Sequence, residues 1–129
     1  MRIRIEVQDG AVVVRALGWS LRTGSGARRL WDALEGLLRN EVRRVVLDLG
    51  RVRFLDGGAL EGVLAWERSF RRSGARLHLV APSLVFAPYL VRLRSDLQAF
   101  PDLARALEGF AAPEVPRPQP APAPLRLAS

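Results

Sequence analysis

The sequence predicts an α/β fold: a mixed β-sheet with helices packed on it. Segments typical of strands alternate along the chain with segments whose apolar residues recur every three or four positions, as on one face of a helix. At the start, Asp9-Gly10 joins two strand-like segments directly, which is typical of an antiparallel hairpin. Strands separated by helices pair in parallel through right-handed crossovers, so the sheet contains both kinds of pairing.

The first half of the chain carries a hairpin and a helix. Residues 2–7 alternate between polar and aliphatic side chains, and residues 11–17 form the second strand. Residues 20–26 are rich in glycine and hydroxyl side chains and are predicted to be a loop. The apolar spacing over 27–39 predicts the first helix.

The second half begins with a near-continuous apolar run over 45–49, which is typical of a central strand covered on both faces. Asp56 is predicted to be the N-cap of a second helix, because its carboxylate can accept hydrogen bonds from the free N–H groups of the first turn. This helix is expected to end near Ser73, with Gly74 as the left-handed stop. Residues 76–80 are the next predicted strand.

Beyond this strand the sequence predicts a short helical stretch from Pro82 and a last helix over 103–108, capped by Asp102. Six of the nine prolines fall within 111–129. Proline removes backbone donors and favours extended chain, so we expect a Pro/Ala-rich disordered tail there and a folded domain over 1–110.

Composition limits the chemistry. The chain has no cysteine, and all 20 basic residues are arginine, so disulfides, thiolate chemistry and lysine chemistry are excluded. The net charge of +7 comes from arginines scattered along the chain, without aromatic residues between them, and does not predict nucleic-acid binding. No apolar run reaches the roughly 18 residues of a spanning helix, and the N-terminus does not resemble a signal peptide. We therefore expect a cytoplasmic protein without membrane insertion.

No group of residues predicts catalysis, a metal site or a bound cofactor. His78 is the single histidine, and its place within a strand predicts a structural histidine on the surface of that strand. Asp48 and Asp56 are interpreted as a strand-end carboxylate and a helix cap, and the Thr23–Gly26 loop as a flexible connection.

The junction motif, Phe54–Leu60, is the most informative segment. Gly57 and Gly58 place no side chain at the start of the second helix and leave its first N–H groups accessible. A protein partner can approach such a surface closely, although the same residues also suit a tight strand-to-helix turn.

The order and spacing of these elements resemble a STAS domain, the fold of bacterial anti-sigma factor antagonists. The resemblance covers about 3–110 and rests on the strand at 45–49, the junction motif and the segment 74–80. It implies a mixed sheet of four to five strands with helices packed mainly on one side.

The resemblance also implies a function without catalysis: binding an anti-sigma factor or GHKL-type serine kinase. The partner-binding residues it implies are Asp56, Gly57, Gly58, Ala59, Leu60, Val63 and Trp66. In the family, a serine or threonine just after the aspartate is phosphorylated, which ends binding. Gly57 and Gly58 stand at those positions, so the usual phosphorylation site is lacking here.

A related branch of the same fold contains cytoplasmic subunits of ABC-type lipid transport systems, which bind the ATPase subunit with the same helix face. Gly58 suits that branch nearly as well. A small-molecule or nucleotide-binding STAS domain is a third alternative, favoured only by the Gly24–Gly26 loop.

Overall fold

A computed structural model describes residues 1–81 and 98–111 of the chain. Within these residues a five-stranded sheet has the order β1-β2-β4-β6-β7, and a separate two-stranded ribbon is formed by β3 and β5. In chain order the elements are β1 (Ile3–Gln8), β2 (Ala11–Ala16), β3 (Ser20–Leu21), α1 (Ser25–Arg39), β4 (Arg44–Asp48), β5 (Phe54–Leu55), α2 (Gly57–Arg72), β6 (Arg76–Val80), β7 (Gln98–Phe100) and α3 (Leu103–Ala111).

The predicted hairpin is confirmed. β1 and β2 pair antiparallel, and the register closes at Gln8 opposite Ala11, so the turn has two residues. Those residues, Asp9 and Gly10, both have positive φ, at 51° and 77°. This left-handed geometry matches the twist of the flanking strands, and an Asp-Gly pair adopts it at low cost.

The rest of the sheet is parallel, as expected for strands separated by helices. β4 lies between β2 and β6, and β7 pairs with β6 at the far edge. Because β4 is central and covered on both faces, Val45, Val46 and Leu47 are fully buried. The mixed α/β sheet predicted from the sequence is therefore confirmed.

The helices cover the two faces of the sheet unequally. The larger core lies under α1 and α2, where Leu30, Leu34 and Phe70 pack against the strands. A smaller core lies on the opposite face, where α3 contributes Ala106 and Phe110. Of the three helices in the described residues, the two longer ones thus lie on one side, as expected.

His78 corrects one expectation: it is 2% exposed and does not lie at the surface. Alternation along β6 turns Leu77 and Leu79 towards α1 and α2, which turns His78 to the other face. There α3 covers it: its ring stacks on Phe110 with centroids 3.8 Å apart, and its Nδ1 lies 2.9 Å from the Ala106 carbonyl oxygen.

Helix and strand boundaries agree with the predictions to within a few residues, with two additions. The predicted loop over 20–26 contains β3 and the first two residues of α1, and residues 98–100 form β7, a strand that was not predicted. The short helical stretch predicted from Pro82 lies outside the described residues, as does the tail predicted over 111–129 except for Ala111. The last helix continues to Ala111.

Candidate functional site

The β3–β5 ribbon positions the junction motif. Ser20 pairs with Phe54 and Leu21 with Leu55, in parallel. The ribbon continues by one further hydrogen bond, in which the Asp56 N–H donates to the Leu21 carbonyl at 3.2 Å. The start of α2 is therefore held against the loop that connects β3 to α1.

Asp56 caps α2, as predicted, and also binds that loop. One carboxylate oxygen, Oδ1, accepts from the Ala59 N–H at 2.8 Å and from the Thr23 hydroxyl at 2.7 Å. The other oxygen, Oδ2, accepts from the Thr23 N–H at 2.9 Å. A single carboxylate thus joins the first turn of α2 to a residue 33 positions earlier.

These hydrogen bonds lower the pKa of the Asp56 carboxyl below its ordinary value of 3.8. The largest cause is the Thr23 N–H, followed by the Ala59 N–H and the Thr23 hydroxyl, and Arg22 adds a weaker attraction. All of these groups favour the ionised form. Asp56 is therefore an anion at neutral pH and acts here as an acceptor that fixes the loop.

The two glycines of the junction have different surroundings. A Cβ atom at Gly57 meets nothing within 4 Å. A Cβ atom at Gly58 overlaps the Thr23 hydroxyl and comes within 3.1 Å of the Thr23 Cβ and Cγ2. The space above Gly58 is thus already filled by Thr23, so only Gly57 leaves an open position at the start of α2.

The remaining predicted partner-binding residues lie deeper than Gly57. Ala59, Leu60 and Val63 are all at most 5% exposed and belong to the larger core. Trp66 is half-buried and packs against the same core, with its ring 6.4 Å from that of Phe70. These side chains support the surface from beneath in the free protein, and a role for them in binding stays a prediction.

Two aromatic residues near the junction are exposed: Phe54, which begins the junction motif, and Trp19, which was not singled out from the sequence. Trp19 is 66% exposed and Phe54 is 40% exposed. The Trp19 carbonyl accepts hydrogen bonds from the N–H groups of Arg53, at 2.6 Å, and Phe54, at 3.0 Å, and the Arg22 guanidinium lies 4.7 Å from the Phe54 ring centre. We call Trp19, Arg22, Thr23, Phe54, Asp56 and Gly57 together the junction surface.

Asp48, the other carboxylate considered from the sequence, accepts from the Gly50 N–H at 2.8 Å and lies 3.5 Å from Arg15. Among residues 1–81 and 98–111, no three histidine, aspartate or glutamate side chains converge as metal ligands do. Over the same ranges, none of the helices has both the length and the hydropathy needed to cross a bilayer.

Replacing Asp56 tests whether its carboxylate joins the loop to α2. Asp56→Ala removes all three hydrogen bonds, whereas Asp56→Asn keeps an oxygen for the Ala59 N–H and loses an acceptor for Thr23. We expect midpoints of urea denaturation at pH 7 in the order parent, Asp56→Asn, Asp56→Ala, from highest to lowest. The contribution of Asp56 is complete above pH 3.8 and is lost as the pH falls through its lowered pKa. Equal midpoints for the parent and Asp56→Asn would show that the contacts of Thr23 gain nothing from the charge.

Comparison with known proteins gives a family and a fold. The family model described as "Mlab, STAS domain" matches residues 3–96. No curated protein matches the chain in sequence. Several solved structures resemble it at low identity.

Three of these structures illustrate the likeness. An anti-sigma-factor antagonist (STAS) domain protein from Planctomyces limnophilus has a TM-score of 0.72 at 16% identity, covering 85% of this chain and 98% of that one. An anti-sigma factor antagonist from Mycobacterium paratuberculosis has a TM-score of 0.70 at 21% identity, covering 86% and 94%. The Bacillus cell fate determinant SpoIIAA in its phosphorylated form has a TM-score of 0.68 at 15% identity, covering 86% and 100%.

The family match covers well over half of the chain, and the fold agrees with it over the described residues that it includes. The matched range contains four strands of the mixed sheet, the helices α1 and α2 and the Asp56 cap, and β7 and α3 follow it. The chain belongs to the STAS domain family, and its fold resembles that of the anti-sigma factor antagonists among the solved structures.

Proposed function

We propose that this chain is a non-catalytic protein-binding module of the cytoplasm that acts as an anti-sigma factor antagonist. Its partner is an anti-sigma factor or a GHKL-type serine kinase. The observation that carries the proposal is the junction surface: Trp19 and Phe54 are exposed, the backbone of Phe54 is hydrogen-bonded to that of Trp19, and this pairing leads directly into the helix start where Gly57 is open.

The composition of the junction surface supports protein binding. Exposed tryptophan and arginine are among the residues most enriched at the energetic centres of protein interfaces. Trp19 and Arg22 provide these types, and Phe54 adds apolar area beside Arg22. Since Gly57 has no side chain, a partner can also reach the backbone of the first turn of α2.

The outer side of α2 supports an acidic partner. Arg68 and Arg72 are exposed on this helix, and Arg71 pairs with Glu67 at 3.7 Å. Together with the net charge of +7, these arginines attract an acidic partner surface. Charge at the rim of an interface raises the association rate more than the final affinity, so added salt is expected to slow association.

We also propose that binding is not switched by phosphorylation at the junction. Gly57 and Gly58 carry no hydroxyl, and no serine, threonine or tyrosine lies within 54–62. After incubation of the full chain with the partner kinase and ATP, mass spectrometry is expected to find no phosphate in this segment. A kinase-dependent phosphopeptide covering it would contradict this part of the proposal.

Substituting the exposed aromatic residues tests the binding role. In titration calorimetry with the purified anti-sigma factor or kinase, we expect Trp19→Ala and Phe54→Ala each to weaken binding about thirtyfold, or ~2 kcal/mol. Arg105→Ala, on α3 at the opposite face, is the matched control and should change the affinity less than threefold. Trp66→Ala, measured alongside with its unfolding curve, separates a loss of partner contacts from a loss of core packing.

The second candidate is a cytoplasmic STAS subunit of an ABC-type lipid transport system, with the ATPase subunit as the partner. It is favoured by the absence of a hydroxyl at Gly57 and Gly58, which a module regulated by a serine kinase needs there. Affinity purification of the tagged chain from its native host distinguishes the two. A kinase or sigma regulator supports the first, and a membrane ATPase supports the second. If the Trp19→Ala and Phe54→Ala variants retain either partner fully, the junction surface is not the binding site.

A further inference from the structure

β1 is an edge strand with an unusual surface. It pairs with β2 on one side and has no strand on its other side within the described residues. On the face that carries α1 and α2, Ile5 is 51% exposed and Val7 is 72% exposed, because the helices do not extend over this edge. Proteins usually protect an open edge against pairing with another chain, and an aliphatic edge strand favours such pairing.

The backbone hydrogen bonds of the β1–β2 pair show which groups of β1 are free. The Leu17 N–H donates to the Arg2 carbonyl at 2.8 Å, so Arg2 and Leu17 form a hydrogen-bonded pair. In an antiparallel ladder such pairs alternate with non-hydrogen-bonded pairs. Arg4 and Glu6 therefore also direct their backbone groups towards β2, whereas the N–H and C=O groups of Ile3, Ile5 and Val7 point to the open edge.

We propose that this edge pairs antiparallel with β1 of a second copy of the chain, about a two-fold axis at Ile5. In this register Ile5 lies opposite Ile5 of the second copy, and Ile3 lies opposite Val7. All three residues have outward-pointing backbone groups, so every pair of this kind can exchange two hydrogen bonds. The two five-stranded sheets become one continuous sheet, and six aliphatic side chains form a strip across the interface.

The charges of β1 select this register. Arg4 lies opposite Glu6 of the second copy, and Glu6 lies opposite Arg4, in the non-hydrogen-bonded positions where side chains are closest. Moving the axis by one residue in one direction places Arg4 opposite Arg4, and in the other direction Glu6 opposite Glu6. An axis that falls between two residues places a residue whose backbone groups point towards β2 opposite one whose groups point to the open edge, and such a pair cannot exchange hydrogen bonds. The sequence Ile3–Val7 is therefore self-complementary in one antiparallel arrangement.

A charge-swap series tests the pairing by sedimentation analysis of the full chain. We expect a dimer for the parent and at least a tenfold higher dimer dissociation constant for Arg4→Glu and for Glu6→Arg, because each places like charges opposite one another. The double variant carrying both changes restores the complementary pairs and is expected to regain the dimer. Arg28→Glu, an exposed position on α1, is the control for the change in net charge.

Glu6 has contacts within its own copy, so its variant needs a check on folding. It accepts from the Gln8 side chain at 2.6 Å and lies 3.9 Å from Arg15. Circular dichroism of each variant shows whether the sheet is retained, and Arg4→Glu leaves these contacts in place. A parent chain that is monomeric at all concentrations, or a dimer that Arg4→Glu leaves unchanged, would overturn the proposal.

Cross-linking tests the register directly, because the chain has no cysteine of its own. Residues of a hydrogen-bonded antiparallel pair have Cα atoms about 5.5 Å apart, which a disulfide can span. Ile5→Cys is therefore expected to give a covalent dimer under mild oxidation. Val7→Cys is the matched control, since in this register the two copies of position 7 are four residues apart. Equal cross-linking of both variants would contradict an axis at Ile5.

Discussion

Replacing Gly58 with alanine is expected to lower the free energy of unfolding by about 1–3 kcal/mol, the usual cost of inserting a methyl group into filled space. The added Cβ overlaps the Thr23 hydroxyl, which is already hydrogen-bonded to Asp56. Alanine is otherwise the better helix former, so intrinsic propensity alone predicts the opposite sign. The measurement is urea denaturation at neutral pH.

Gly57→Ala is the matched control, one residue away in the same helical turn. Its Cβ meets nothing within 4 Å, so we expect unchanged or slightly higher stability. Thr23→Gly supplies the second test: in that background Gly58→Ala should lose its cost, because the overlapping atoms are gone. If Gly58→Ala and Gly57→Ala unfold at the same urea concentration, Thr23 does not fill the space above Gly58.

This contact explains why the sequence predicted only part of the candidate site. The Asp56 cap could be predicted because it is local: a carboxylate precedes a helix whose first N–H groups need acceptors. Thr23 could not be predicted, since its contact with Asp56 depends on pairing between β3 and β5. Each of these strands has two residues, too few to show the alternation that identifies a strand.

The same distinction between local and distant signals applies to the fold. The hairpin and the parallel strands could be predicted from turn residues and periodicity, which are local. The position of His78 could not, because its burial depends on α3 covering the face of the sheet opposite α1 and α2. The exposure of Trp19 could not be predicted either, because nothing in the neighbouring sequence distinguishes an exposed tryptophan from one in the core.

Acidification is expected to destabilise the protein through His78. Its Nδ1 donates to the Ala106 carbonyl, so its Nε2 carries the lone pair, and that atom is buried without a hydrogen-bond partner among the described residues. Burial lowers the pKa of His78 below its ordinary value of 6.5, and nearby Arg76 lowers it further, although the Ala106 hydrogen bond opposes this shift. Protonation therefore favours the unfolded chain.

The direction of the pH dependence follows because the pKa of His78 is lower in the folded chain than its ordinary value of 6.5 in the unfolded chain. Above pH 6.5 the imidazole of His78 is neutral in both the folded and the unfolded chain, so its titration costs no stability. Below it, the unfolded chain takes up a proton that the folded chain does not. The free energy of unfolding then falls by up to about 1.4 kcal/mol per pH unit, until the pH reaches the lowered pKa of the folded state.

His78→Leu isolates this contribution from that of the carboxylates. The variant has no titrating imidazole, so the unfolding free energy of the parent should fall relative to that of the variant as the pH falls below 6.5. Because His78 is the only histidine, its imidazole proton resonance reports the folded-state pKa directly by NMR. The Phe110 ring stacks on His78 and shifts this resonance, so Phe110→Ala should change its chemical shift. A parent and variant with parallel pH profiles would show that α3 does not hold His78 in its neutral form.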